Sequence, residues 1–385
     1  MDATKRLKVL HLIDSAGFYG AERVLLHLMA EHCRLGVRSI LGSCCRRGEE
    51  TKAIERRALS KGLEVERFQL RWGLDLAGGL DIVKYARRNE CTVIHSHGYK
   101  PNAILGMLPG SLRGIPIVAT VHGWTSTNRF SKIAAYEWLD RRVLSRFDRV
   151  VVVNDAPAVK RLLSGVKRSR LKVVYNGVPE VEDNQEARPD DGFIQRFLEN
   201  DSFVLGSIGR LSPEKGQRFL LSAVEQLVRG GHDVRLVVFG EGSERDALGK
   251  QVERLRLQER VLLPGYCAHA TEYLPRLNAF VLPSLTEGMP LTLLEAMRAG
   301  IPVIASRVGG IPQMIENGKS GLITEPGRAD ELAEAVEKLI RNQVLRASLA
   351  SEARGRALTI FSSRAMALQY KRIYEETRDC YPELD

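Results

Sequence analysis

The sequence predicts an α/β chain with two open, mostly parallel sheets, on three observations. Short apolar runs alternate with helical stretches through residues 1–180. A polar, acidic break follows, PEVEDNQEARPDDG at Pro179–Gly192. A second alternating series fills the rest of the 385 residues. Strands interleaved with helices are the pattern of parallel βαβ units, and this length leaves room for two or three domains. The division expected is a first domain at 1–180, a linker at 181–192 and a second domain at 193–362. A C-terminal helix within 363–385 is expected to pack back across the domain junction.

Taken in order, Lys8–Asp14 is an apolar run ending in SAGFYGAE. There Gly17 and Gly20 turn the chain from a strand into an amphipathic helix at Ala21–Cys33. The turn is either a ligand loop or only a tight corner, and it is not a GxGxxG fingerprint. Further strands are expected at Ser39–Ser43, Val65–Phe68, Val93–Ser96, Ile117–Val121, Val150–Asn154 and Lys172–Tyr175, with helices at Ala53–Lys61 and Ile82–Arg88. Ser131–Phe147 interleaves apolar residues with Arg141, Arg142 and Arg146. It either rests on a membrane surface or packs its stripe on the domain. The second series places strands at Phe203–Ile208, Arg235–Phe239, Val261–Leu263, Ala279–Leu282, Pro302–Ala305 and Gly321–Ile323. Its helices fit at Gln217–Gly230, Glu244–Leu255, Leu291–Ala299 and Ala329–Asn342. Arg364–Thr377 has helical spacing through Leu368, Tyr370, Ile373 and Tyr374. Ligands of such sheets gather at the carboxyl ends of the strands, which singles out Gly17–Glu22, His95–Tyr99, His122–Thr125 and Asn154.

Composition narrows the class. The apolar fraction, 44%, is that of an ordinary globular chain. No apolar run reaches the roughly 18 residues of a membrane span, and MDATKRLKVLHLID reads as the lead-in to a buried strand, not a signal peptide. The six cysteines form no CxxC pair, which fits a reducing, cytoplasmic compartment. Charge is uneven: residues 1–180 hold 31 Lys and Arg against 17 Asp and Glu, a net +14, and the remainder is −4. The excess points to an anionic partner, such as a membrane surface or an acidic acceptor, or to a solvated basic face. No nucleic acid is expected, because no binding motif accompanies the charge. Metal is expected to be absent too. The eight histidines lack metal-ligand spacing, His95-x-His97 at a strand end coming nearest to it.

The clearest chemistry lies in Ser284–Ala305, SLTEGMPLTLLEAMRAGIPVIA. It reads as loop, helix, turn and strand. Pro290 suits the first helical position and Gly300 the end of the helix. The free N–H groups at that helix start would meet an anion. Glu287 and Glu295 are eight residues apart. A carboxylate beside a diphosphate would be repelled, so Glu287 is expected to face sugar hydroxyls and Glu295 a ribose. The other possibility is that Glu287 caps the helix and Glu295 is exposed. Upstream, GRLSPEKG puts Arg210 and Lys215 on a glycine-bounded loop after a strand, a pair of cations suited to phosphates.

SLTEGMPLTLLEAMRAGIPVIASRVGGIPQMIENGKSGLI, together with GRLSPEKG, Thr120-Val121-His122-Gly123, Tyr175-Asn176-Gly177-Val178 and Gly240-Glu241-Gly242, resembles the retaining GT-B glycosyltransferases of glycosyltransferase family 4. The similarity covers nearly the whole chain. It implies a GT-B architecture, two facing Rossmann-like domains with open, mostly parallel sheets. It also implies transfer from a nucleotide-diphosphate sugar, UDP-sugar first, to a hydroxyl of a glycan or lipid-linked acceptor, with no metal or other cofactor. On the matching positions, Arg210 and Lys215 would bind the diphosphate and Glu287 the donor sugar. The backbone of Gly288, Met289, Pro290, Leu291 and Thr292 would reach sugar and phosphate, and Glu295 the ribose. His122 would stand near the reacting centre, with Glu287 the second catalytic residue, and Gly20 would approach the donor phosphate. Tyr19 stands where the family often has glycine, which bears on the acceptor side. The setting implied is cell-surface polysaccharide synthesis in the cytoplasm, peripheral to the membrane. Two other readings are a sugar-nucleotide epimerase on the same scaffold, which would convert donor without acceptor, and a nucleotide-sugar-binding module without catalysis.

Overall fold

The computed structural model describes residues 6–15, 17–123, 132–180, 192–199 and 201–381. The chain divides into two compact units, Met1–Gly177 with Ser363–Asp385, and Val178–Ser362. Residues 181–191 of the expected linker lie outside the described residues, and Gly192 opens a helix, Gly192–Leu198.

The first unit is built on seven strands: β1 (Lys8–Ile13), β2 (Arg38–Cys45), β3 (Glu64–Gln69), β4 (Val93–His97), β5 (Ile117–Val121), β6 (Arg149–Val152) and β7 (Leu171–Val173). Their order is β3-β2-β1-β4-β5-β6-β7, and every neighbouring pair is parallel. The order reverses between β1 and β4, the switch point where doubly wound sheets open a ligand crevice at their carboxyl ends. β4 and β5 are buried along their whole length. β5 therefore reads as an almost wholly apolar run without alternation, whereas β4 buries the polar residues His95, Ser96 and His97.

The C-terminal helix Ser363–Arg378 belongs to this first unit and packs on the helix Gly20–Arg34 and on β4. It buries Met366, Ala367, Tyr370, Ile373 and Tyr374. Leu368, expected in the apolar stripe, is instead on the exposed side. The helix Lys132–Val143 packs against the helix Tyr99–Met107 and buries Val143 at its end, and the chain after it buries Leu144 and Phe147. Trp138 is exposed, with the Arg142 guanidinium 4.8 Å from its ring centroid. The side chains of residues 131–136, part of the proposed membrane stripe, lie outside the described residues. No helix among the described residues is long and apolar enough to cross a membrane.

The second unit has six strands: β8 (Phe203–Ile208), β9 (Val234–Phe239), β10 (Val261–Gly265), β11 (Ala279–Leu282), β12 (Val303–Ser306) and β13 (Leu322–Thr324). All pair in parallel, in the order β10-β9-β8-β11-β12-β13, again with a reversal between β8 and β11. The core joins Leu205, Val238, Val281 and Ile304 of the sheet to Leu220 and Val224 of the helix Gln217–Arg229 and to Val336 and Leu339 of the helix Ala329–Arg341. Each such fully buried aliphatic side chain is worth about 1.5–3 kcal/mol relative to exposure.

Most differences from expectation are at element ends. β6 stops at Val152, because Asn154 turns the chain: its Oδ1 accepts from Ala156 N at 3.1 Å. The helix expected from Ile82 begins at Leu76, where Asp75 caps it by accepting from Gly78 N at 3.0 Å. Gly78-Gly79 in its first turn hides that start. The helix Gln343–Thr359 is additional. Pro290 is the cap of the helix Leu291–Ala299, with φ −71° and ψ 121°, and not its first residue. All six cysteines are free thiols.

Candidate functional site

In the second unit, loops at the carboxyl ends of β8, β9, β11 and β12 gather most of the predicted residues. The β8 loop carries Arg210 and Lys215, the latter ending a short turn, Pro213–Lys215, that Gly216 closes at φ +67°. Lys215 Nζ donates to Glu287 Oε1 at 2.6 Å, and Ser284 Oγ donates to the same oxygen at 2.7 Å. Leu285 N bonds Glu214 O at 2.8 Å, so the two loops are joined through backbone as well. Arg210 is half exposed and bonds Glu214 Oε1 at 2.9 Å, which also accepts from Ser212 Oγ at 2.7 Å. Burial raises the Glu214 carboxyl, but the Ser212 hydroxyl, its own backbone N–H and Arg210 outweigh this and hold it below its ordinary value. Both predicted cations thus have a carboxylate partner. Glu287, expected to face sugar hydroxyls, is ion-paired to Lys215 through Oε1.

The helix Leu291–Ala299 starts directly after this pair. No side chain caps its N-terminus among the described residues, and Gly300 ends it in the left-handed region at φ +72°. Its first-turn N–H groups, from Leu291 and Thr292 onward, have no intrahelical acceptor. Met289 and Leu291 are buried. Glu295 is 1% exposed, which removes the possibility of a solvent-facing residue.

Two glycine contacts fix the approach of these loops. A Cβ on Gly309, which sits at φ +53°, would overlap the Glu287 carbonyl oxygen, and Gly310 N bonds Gly288 O at 2.8 Å. A Cβ on Gly240 would overlap the Gly209 carbonyl oxygen. Ser284, Glu214 and the Gly309-Gly310 pair were not singled out from the sequence. The adjacency of Glu214 to Lys215 and the doubled glycine were the available signals.

In the first unit, a cavity of 460 Å³ opens at the carboxyl ends of β1, β4 and β5. Asp14, Trp72, His97, Lys100 and His122 are among its walls. A second cavity, of 430 Å³, shares Asp14, Arg46 and Lys100 with it. Asp14 sits between Lys52 at 3.1 Å and Lys100 at 3.2 Å. Trp72 is 78% exposed, and the Arg46 guanidinium lies 5.5 Å from its ring centroid. Gly20 opens the helix Gly20–Arg34, and a Cβ there would meet nothing within 4 Å. Packing therefore does not require glycine at that position. Tyr19 is exposed beside it, and Glu22 braces the turn by accepting from Tyr19 N and Ser15 Oγ.

His122 follows β5 at the wall of the larger cavity. Desolvation lowers its pKa to about 4, so it is neutral near pH 7. Behind it lies a set of histidines that the sequence scattered over 86 positions. Nitrogens of His11, His95 and His97 come within 4.8 Å of one another. His95 and His97 are the pair whose sequence spacing comes nearest to that of metal ligands. Both His95 nitrogens are, however, engaged by hydroxyls, Nδ1 with Tyr374 at 2.6 Å and Nε2 with Thr120 at 2.7 Å. Coordination by all three rings would require one of these bonds to break.

Two family descriptions match this chain. One, Glycosyltransferase Family 4, covers residues 18–181, and the other, Glycosyl transferases group 1, covers residues 191–356. The chain belongs to glycosyltransferase family 4. Alpha-D-kanosaminyltransferase of Streptomyces kanamyceticus is 28% identical over 76% of this chain and 79% of that one. The Escherichia coli UDP-Gal:alpha-D-GlcNAc-diphosphoundecaprenol alpha-1,3-galactosyltransferase is 28% identical over 70% of this glycosyltransferase and 72% of its own length. Among solved structures, Anabaena Alr3699/HepE in complex with UDP superposes with a TM-score of 0.81 at 25% identity, covering 96% of this chain and 100% of that one. The fold is GT-B, with one Rossmann-like sheet in each unit. Family membership leaves the epimerase reading without support.

Proposed function

We propose that this glycosyltransferase moves a sugar from a UDP-sugar to a hydroxyl of a glycan or lipid-linked acceptor in cell-surface polysaccharide synthesis. Transfer proceeds with retention and without a metal. The observation that carries the reading is the 2.6 Å Lys215–Glu287 pair at the start of the helix Leu291–Ala299. A nucleoside diphosphate gains charge as it leaves. Lys215, Arg210 and a helix N-terminus are positive ends already fixed in place, and such preorganised groups stabilise developing charge at little reorganisation cost. Glu287, with Oε1 held by Lys215 and Ser284, offers Oε2 to a sugar hydroxyl. Buried Glu295, about one helical turn after Leu291, takes the ribose.

The acceptor oxygen attacks the anomeric carbon on the face the diphosphate leaves. The carbon–oxygen bond to the β-phosphate breaks, its electron pair departs with the nucleoside diphosphate, and the acceptor proton passes to the leaving phosphate oxygen. UDP is favoured by the ligand of the Anabaena neighbour, and a lipid-linked acceptor by the name of the Escherichia coli relative. The acceptor is assigned to the 460 Å³ cavity of the first unit, with Trp72 as a platform for a sugar ring and His122 as a neutral hydrogen-bonding group. The basic first half directs the enzyme to the anionic cytoplasmic face of a membrane.

The test is a panel of UDP-, GDP- and ADP-sugars, each with a lipid-diphosphate saccharide and with a free glycan, following release of nucleoside diphosphate. UDP-sugar turnover that depends on acceptor and persists in EDTA is expected. The product linkage, read by NMR, should keep the donor's anomeric configuration. Preference for a GDP-sugar, an inverted linkage, or activity lost to EDTA and restored by Mn²⁺ would each remove the corresponding part. Failure to float with anionic liposomes at low salt would remove the membrane role.

A further inference from the structure

Behind His122 the first unit holds a chain of imidazoles that no step above uses. His11 is in the middle of β1, His97 ends β4, and His122 follows β5. Parallel pairing sets His11 beside His95 and His97 beside Thr120, so His97, two residues after His95 on the same strand face, comes near His11, and His122, two residues after Thr120, comes near His97. His11 Nδ1 lies 3.2 Å from His97 Nε2, and His97 Nδ1 lies 3.3 Å from His122 Nε2. Both nitrogens of His97 are therefore spent on other imidazoles. His11 and His97 are buried, and His11 Nε2 has no hydrogen-bond partner among the described residues.

A neutral imidazole carries one N–H and one lone pair. With all three rings neutral, only two proton arrangements satisfy both contacts. In the first, His11 Nδ1–H donates to His97 Nε2 and His97 Nδ1–H donates to His122 Nε2. His122 then carries its own proton on Nδ1, and only a lone pair on His11 Nε2 stays unpaired. In the second, every bond runs the other way. His122 Nδ1 becomes an acceptor, and an N–H on His11 Nε2 is buried without a partner. Orphaned buried N–H groups are the rarer and costlier defect, so the first arrangement prevails. A protonated His97 would also donate to His122. That state is disfavoured by burial of the ring and by the neighbouring His95, His11, His122 and His32, although Asp14, Glu22 and Asp140 share the cavity wall with it.

We infer that His97, backed by His11, is a positioning residue that locks His122 in its Nδ1–H tautomer, so that His122 meets the substrate as a hydrogen-bond donor and not as a base. Its place in transfer rests on the function proposed above; the tautomer itself does not. A donor at that point suits a substrate oxygen that gains negative charge. It cannot take a proton from the acceptor hydroxyl, which agrees with a proton that leaves with the phosphate.

The test uses the full chain labelled with ¹⁵N-histidine, the His122 signals being assigned by their loss in His122→Gln. In the wild type near pH 7, His122 should show a pyrrole-like Nδ1 and a pyridine-like Nε2. The opposite pattern, or fast averaging between the two, overturns the inference whatever the activity. His97→Asn keeps an N–H donor close to the place of Nδ1, whereas His97→Asp offers only acceptors. His97→Asn should keep the His122 tautomer and most of kcat. His97→Asp should reverse the tautomer and lower kcat by about tenfold or more, the worth of one hydrogen bond, with donor KM little changed. Equal kinetics in folded His97→Asn and His97→Asp would also overturn it. The predicted tautomer together with undiminished turnover in His122→Gln would instead defeat the role given to His122 in transfer.

Discussion

Lys215 and Glu287, 72 residues apart, meet at 2.6 Å between Nζ and Oε1 at the foot of a helix. The Glu287 side chain is 7% exposed and that of Lys215 is 23% exposed. Removing one member of such a pair costs more than the pair itself contributes, because the other charge is left poorly solvated. Lys215→Ala and Glu287→Ala should each lower turnover by about 100-fold or more, the scale seen when a preorganised electrostatic group is deleted. Lys215→Ala should also lower stability by about 1–2 kcal/mol, below the fully buried limit because water reaches the lysine. Glu287→Gln keeps an oxygen for Ser284 and should unfold closer to wild type while staying slow. Initial rates and urea unfolding check this, and near wild-type rates in both alanine variants would end the assignment.

Gly309 and Gly20 make opposite predictions for the same substitution. Gly309 has φ +53°, and its missing Cβ leaves room for the Glu287 carbonyl. Gly309→Ala should cost about 1–3 kcal/mol and shift the Glu287–Gly288 segment, raising donor KM. At Gly20 the space is open, and a Cβ there meets no atom. Gly20→Ala should therefore leave the unfolding midpoint unchanged. A change in its donor KM alone would mark a ligand that comes close to that carbon.

The fold was legible where punctuation and periodicity agreed. Pro290 and Gly300 bracket Leu291–Ala299, and the structure has that helix between the same residues. β5, β8 and β11 likewise match residue for residue. The helix Tyr99–Met107 was missed because six of its nine residues are buried and it carries no polar face to set a period. Pairing between loops was not legible at all. Nothing local ties Lys215 to Glu287 or His11 to His97, since both contacts depend on sheet order and register. Burial of Glu295 was equally hidden, a glutamate being an exposed residue by default.

Acid should destabilise this protein earlier than most. Burial lowers the pKa of His11, His32, His95, His97 and His122, with neighbouring histidines adding to the effect at His11, His95 and His97. The values reach about 4 for His122 and about 3 for His32, from an ordinary 6.5. As pH falls below 6.5 the unfolded chain takes up protons that the folded chain refuses, so folding weakens with each step down. Every such histidine removes about 1.4 kcal/mol per pH unit until its folded pKa is reached. Thermal unfolding should therefore be flat above about pH 7 and fall steeply between pH 6.5 and 4. A midpoint unchanged between pH 7.5 and 5 would contradict the burial of these rings.

The acceptor assignment can be separated from donor binding. Trp72 stands 78% exposed at the rim of the 460 Å³ cavity, and Arg46 lies over its ring. Neither residue packs into the core, so Trp72→Ala and Arg46→Ala should leave stability within about 0.5 kcal/mol. A sugar ring resting on the indole would lose its platform, and a charged acceptor would lose a cation. Acceptor KM should rise about tenfold in each variant, while donor KM and the thermal shift on adding nucleotide sugar stay as in wild type. An increase in donor KM instead would move the nucleotide sugar, and not the acceptor, to this cavity.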